Sequence, residues 1–172
     1  MRPLIPAALT GLLAVPATSA IAGDIDLKID IPRLDVAEYH RPYVAVWLER
    51  VDQPVTTLNV WYDTKKRDNE GTKWLKDLRT WWRRAGRETA MPMDGVSGAT
   101  RAVGEQTLSF KGTASPLAKL ANGQWDLVVE AARENGGREV VRVPVTWPPT
   151  SEQTLTAKGE KELGAVSVVI KP

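Results

Sequence analysis

The chain has 172 residues, no cysteine, 23 Lys and Arg against 21 Asp and Glu, and a formal net charge of +2. Without thiols it cannot attach a c-type haem, hold an iron–sulfur cluster through sulfur, form disulfides or use a Cys nucleophile. The near balance of charge gives no footing for nucleic-acid binding, which shows a clear basic excess.

Arg2 precedes an apolar run over 4–15, and Ala20-Ile21-Ala22 then offers small–x–small before Gly23. This is the pattern of a secretory signal peptide over 1–22, cleaved after Ala22 or Ala20. The run is shorter than the roughly 20 apolar residues a membrane span needs, so no membrane insertion is expected after cleavage; an uncleaved anchor is the alternative. The remainder, 23–172, has the length of one domain, exported and periplasmic.

DIDLKIDI (24–31) alternates apolar and charged residues, the signature of a half-buried strand. YVAVWLER (43–50), after Pro42, alternates again, and TTLNVWYD (56–63) is rich in β-branched and aromatic residues. In TKWLKDLRTWWRRAG, Trp74, Leu75, Leu78, Trp81 and Trp82 fall on one helical face, predicting a helix over about 73–85. Thr72 is its candidate N-cap, Arg83 and Arg84 suit its C-terminal dipole, and Gly86 ends it. EQTLSF (105–110) reads as the next strand. WDLVVEAARE (125–134) and REVVRVPVTW (138–147) flank Asn135-Gly136-Gly137 as a hairpin. TLTAK (154–158) is a short edge strand and GAVSVVIK (164–171) closes the chain. Seven or eight short strands with one inserted helix predict a mainly β fold, an antiparallel immunoglobulin-like β-sandwich.

Enzyme chemistry finds little support. His40 is the only histidine and sits in a loop beside Arg41 and Pro42, where a solvated loop histidine is the ordinary expectation; metal sites and Ser–His catalysis both tend to need this residue type, and one copy supports neither strongly. Ser97 is not a nucleophile elbow, because Ala99 stands where G-x-S-x-G needs glycine. Asp24, Asp26, Asp30, Asp63, Asp68 and Glu70 make no metal-ligand spacing. The segment with Trp81 and Trp82 is richer. The two rings point about 100° apart on a helix, one toward the sheet and one toward the surface. With Arg79, Arg83, Arg84 and Arg87 beside them they can seat a flat anionic ligand such as a flavin nucleotide or a porphyrin, or serve core packing alone.

DGVSGATR (94–101) is the other distinctive stretch. Asp94-Gly95 and Ser97-Gly98 are turn dipeptides, which account for it as a connection. Its spelling, Asp94 with Ser97, Gly98, Ala99 and Thr100, also resembles the acceptor motif of periplasmic flavin transferases, Asp-x-x-Ser/Thr-Gly-Ala-Thr/Ser. In that family the last hydroxyl is esterified to the phosphate of FMN taken from FAD, which implies covalent FMN on Thr100. More widely, HRPYVAVWLE, WYD, WLKDLRTWWRR, DGVSGATR and VVEAARENGGRE resemble a periplasmic family of unknown function, often encoded near flavin transferases and PepSY-type membrane reductases. That resemblance implies a small β-sandwich of extracytoplasmic redox or iron-uptake systems.

Three readings follow. In one the protein is a flavinylated electron carrier, with the Trp–Arg helix sheltering the isoalloxazine and a membrane reductase as electron source. In another it is a non-catalytic binding or structural module, accessory to a membrane reductase or an iron or haem uptake system, working through the helix face. The third, a hydrolase or metalloenzyme, has only His40 to draw on.

Overall fold

The computed structural model describes residues 23–172; the segment 1–22, where the signal peptide is expected, lies outside them. Among the described residues nine strands form two sheets. They are β1 (Asp24–Ile31), β2 (Tyr43–Glu49), β3 (Thr56–Tyr62), β4 (Ser97–Ala99), β5 (Gly104–Phe110), β6 (Gly123–Ala132), β7 (Arg138–Trp147), β8 (Gln153–Lys158) and β9 (Ala165–Lys171). One sheet has the order β5-β1-β9-β8 and the other β4-β3-β2-β6-β7. Every pairing is antiparallel except β3 with β4. The expected β-sandwich is the fold.

The core follows from the alternation of the strands. Ile25, Leu27, Ile29 and Ile31 of β1 are fully buried against Val44, Val46, Leu48, Leu127 and Val129 of the opposite sheet. Each such side chain contributes about 2 kcal/mol relative to leaving it in water. The other face of β1 carries Asp24, Asp26, Lys28 and Asp30, and the four-stranded sheet turns that face to solvent. The five-stranded sheet differs. In β2 every residue from Val44 to Leu48 is buried, so its alternation is not apolar against polar. Ala45, Trp47, Val60, Tyr62, Val128 and Ala132 form the base of a second apolar cluster, closed from outside by Leu75, Leu78, Trp81 and Val96.

That cover comes from the connection between β3 and β4, and it corrects the single helix expected over 73–85. The chain forms a 3-10 stretch from Arg67 to Asp77, a break at Leu78 (φ −74°, ψ 67°), and a short α-helix, α1, from Arg79 to Arg84. The break has a tertiary cause. Glu130, fully buried on β6, accepts from the amides of Thr80 (3.0 and 3.1 Å) and Trp81 (2.8 Å). A continuous helix would spend those amides on the carbonyls of Lys76 and Asp77, one turn back. Thr72 caps nothing, since its hydroxyl donates to the Asn69 carbonyl at 2.7 Å. Gly86 does follow the helix, but packing requires it: a Cβ there would lie 2.5 Å from the Trp81 ring.

Candidate functional site

The stretch 94–101 is more than a turn. Met93 and Ser97 close a loop: the Met93 carbonyl accepts from the amides of Val96 (3.3 Å) and Ser97 (2.9 Å), and the Met93 amide donates to Ser97 Oγ at 2.9 Å. Asp94 and Gly95 form its exposed tip, and Gly95 takes the left-handed φ of +68° that favours glycine. Buried Val96 anchors the loop, and its carbonyl accepts from Val60 at 3.0 Å. Ser97, Gly98 and Ala99 then become β4, pairing in parallel with Val60, Trp61 and Tyr62 at the sheet edge. The Thr100 amide donates to the Tyr62 carbonyl at 3.2 Å. The backbone up to and including the Thr100 amide is therefore fixed against β3, although a three-residue strand is too short to announce itself in the sequence.

Two features of this edge bear on a ligand. Gly98 lies over Trp61, where a Cβ would sit 3.4 Å from Cδ1. Trp61 Nε1 is buried without a hydrogen-bond partner, and the Arg101 guanidinium stands 5.5 Å from the centre of the Trp61 ring.

Thr100 lines a cleft of about 470 Å³ with Tyr39, His40, Arg41, Tyr43, Lys66 and Trp74. Asp63, Asp77 and Glu134 also line it, so the cations face carboxylates. The volume lies within the range of small-molecule and cofactor sites. Tyr43 Oη donates to the Gly71 carbonyl at 3.0 Å, and its ring meets Tyr62 edge-on at 6.3 Å. Burial raises the pKa of the Tyr43 and Tyr39 phenols above the ordinary value, so both stay protonated at neutral pH. The Tyr39 hydroxyl is buried with no partner. His40 is held between carboxylates, its Nε2 3.2 Å from Glu38 and its Nδ1 3.9 Å from Glu134. Trp74 is 38% exposed and supplies an open aromatic face.

The residues anticipated around Thr100 do not all gather there. None of Trp81, Trp82, Arg83 and Arg84 lines its cleft. Trp81 is fully buried, and its Nε1 donates to Thr57 Oγ1 at 3.1 Å, so the ring is a pillar between α1 and the sheet. Trp82 is half-buried, its ring centre 6.4 Å from that of Trp81. Beside it lie three shallow depressions, one of about 310 Å³ lined by Lys76, Arg79, Arg83 and Arg138, one of about 130 Å³ lined by Arg83, Arg84 and Arg87, and one of about 220 Å³ with the uncharged lining of Asn69, Thr72, Leu75, Thr89 and Met91. The helix expected to shelter a ligand on Thr100 thus faces elsewhere. Tyr39, Tyr43, Lys66 and Trp74 occupy that place, and of these only Trp74 belongs to the Trp-rich segment. The signal for Tyr39 and Tyr43 was adjacency to His40 in EYHRPY, which composition alone does not mark, and nothing in its local sequence singled out Lys66.

Among the described residues no group of three His, Asp or Glu side chains converges as a metal-ligand set, and no helix is long and apolar enough to cross a membrane. No curated protein and no solved structure matches the chain. A profile of the family described as "Predicted periplasmic protein (DUF2271)" matches residues 24–165, nearly the whole sandwich.

Proposed function

Since the chain belongs to the DUF2271 family of predicted periplasmic proteins, we propose that it works outside the cytoplasm as an electron carrier, with FMN joined covalently to Thr100. The observation that carries this reading is the position of Thr100. The last residue of Asp94-x-x-Ser97-Gly98-Ala99-Thr100 stands at the end of β4 and lines an aromatic, cation-bearing cleft.

The residues present fit such a group. Tyr39, Tyr43 and Trp74 offer the apolar and aromatic surface that a flavin ring system packs against. Lys66 and Arg41 offer positive charge for a phosphodiester. The unpartnered Tyr39 hydroxyl is a donor or acceptor awaiting a polar atom. Small Gly98 and Ala99 leave the approach to the threonine open to a transferase, and the Asp94–Gly95 tip projects from the sheet edge where that enzyme can grip it. In the attachment step the Thr100 oxygen bonds to the phosphorus of the FMN half of FAD. The pyrophosphate linkage breaks, AMP leaves, and the hydroxyl proton passes to a base of the flavin transferase. Bound FMN then supplies the redox chemistry, while this chain positions it and controls its exposure. A PepSY-type membrane reductase is the proposed electron source.

Expression beside a periplasmic flavin transferase tests the reading. A yellow protein whose flavin fluorescence survives denaturing electrophoresis supports it; a colourless chain, with a known acceptor labelled in parallel, counts against it. The second reading, a non-catalytic module accessory to a membrane reductase or an iron or haem uptake system, draws on a different observation: half-buried Trp82 with exposed arginines around it. Its binding would survive Thr100→Ala.

A further inference from the structure

Much of the charge carried by the helical segment is used neither by the fold nor by the Thr100 cleft. Between Lys73 and Arg87 there are six cations and one carboxylate, a net +5 against +2 for the whole chain, which leaves −3 for all the rest. Some of these cations are paired: Lys73 with Glu70 at 3.0 Å and Arg84 with Glu49 at 3.5 Å, while neighbouring Arg138 meets Glu130 at 2.7 Å. Lys76, Arg79, Arg83 and Arg87 form no ion pair among the described residues, and all four are exposed. Arg83 Nε donates to the Arg79 carbonyl at 3.1 Å, which holds that guanidinium against the helix. Two of the depressions beside α1 share Trp82 and Arg83, so the unpaired cations line the outer side of one half-buried indole, whose other side meets Leu75 and Met91.

Unpaired like charges on one short folded face repel each other, and the core does not need them. They lower the free energy only when they meet negative charge. A protein partner would ordinarily require an apolar interface core with charge at its rim; this face has the reverse layout, one aromatic among cations. An anionic bilayer surface matches it. Its phosphates are spread out and need no fixed geometry, an indole suits the headgroup level, and each added cation strengthens attachment about fivefold.

We propose that the face around Trp82 docks the sandwich on anionic phospholipid headgroups, leaving the Thr100 cleft free. This does not depend on whether Thr100 is modified. The test is co-sedimentation of the purified protein with vesicles rich in phosphatidylglycerol and with vesicles of phosphatidylcholine alone. Any attachment through the apolar run at 4–15 and Arg2 is common to the wild type and the variants below and cancels when these are compared. The wild type should prefer the anionic vesicles and be released by added salt. The triple variant Arg79→Gln/Arg83→Gln/Arg87→Gln should lose about two orders of magnitude in partitioning with an unchanged thermal melt, and Trp82→Ala should lose less. Equal binding to the two vesicle types, or an unaffected triple variant, overturns the proposal. So does binding to polyglutamate without binding to anionic vesicles, which assigns the face to an acidic protein instead. Should the triple variant not fold, the salt titration of the wild type decides: release supports docking, and salt-insensitive binding refutes it.

Discussion

Trp74 and Trp82 stand eight residues apart in one helical segment, each beside cations, yet they serve different surfaces. Trp74 faces a cleft with Thr100, two tyrosines and a mixture of cations and carboxylates. Trp82 leans on Trp81 and shares two of its three depressions with Lys76, Arg79, Arg83 and Arg87, with Glu88 the one carboxylate there. The break at Leu78, imposed by Glu130, separates the two. Residue composition alone does not tell them apart. What does is depth and counter-charge: the Thr100 cleft is the larger, at about 470 Å³, and sets carboxylates against its cations, while the depressions beside Trp82 are shallower and mostly cationic.

The largest effect is expected from removing what both surfaces rest on. Trp81→Ala deletes a fully buried indole and should cost about 3–5 kcal/mol in a denaturant melt, disturbing cleft and helix face together. A loss below about 1 kcal/mol would mean that α1 does not lean on this ring. Glu130→Gln is next. It weakens the bonds to Thr80 and Trp81 and leaves Arg138 short of its partner, at about 1.5–3 kcal/mol for charge-assisted hydrogen bonds. Hydrogen exchange should then rise over 79–85 while residues 97–100 stay protected, because their backbone bonds run to β3 and, for the Ser97 amide, to Met93. Equal loosening of both would show that the two surfaces are one cooperative unit.

Smaller changes sharpen the distinction. Trp74→Ala and Trp82→Ala touch partly exposed rings, and each should shift stability by about 1 kcal/mol or less. In flavin-bearing protein only Trp74→Ala should alter flavin emission; if Trp82→Ala does so equally, the two surfaces do not act separately. The smallest effect lies away from both. The Glu139 carboxylate accepts from the amides of Glu160 (2.6 Å), Lys161 (3.0 Å), Glu162 (2.9 Å) and Leu163 (2.9 Å). Burial works to raise its pKa, and the four amides together outweigh this and hold it below the ordinary value of 4.5. The stability it contributes is complete above that ordinary value and disappears as pH falls through the lowered one. Glu139→Gln should flatten this part of the acid-unfolding curve and leave both surfaces intact; an unchanged curve would contradict the assignment.

Much of the sandwich was legible in the sequence, because strands with one or two apolar faces declare themselves locally. The expected 24–31 and 138–147 coincide with β1 and β7, and the others differ by a residue or two at their ends. The helix break was not legible, since Glu130 lies 50 residues from Thr80 and no local pattern marks a carboxylate that caps at such a distance. The separation of Trp81 from Trp82 by about 100° was evident, but which of them met the sheet depended on Thr57 and on the space left by Gly86. For the candidate site, the motif pointed to Thr100 alone. Tyr39, Tyr43 and Trp74 reach it from two other stretches, brought together by the β2–β3 pairing and by the Tyr43 hydroxyl bonded to Gly71.

The most direct test of the central claim is the intact mass of the protein expressed beside a periplasmic flavin transferase, wild type against Thr100→Ala. A gain of one FMN less water in the wild type, absent from Thr100→Ala, is the expected result. A wild-type mass unchanged while a known acceptor is labelled in parallel, or a gain that persists in Thr100→Ala, would contradict it.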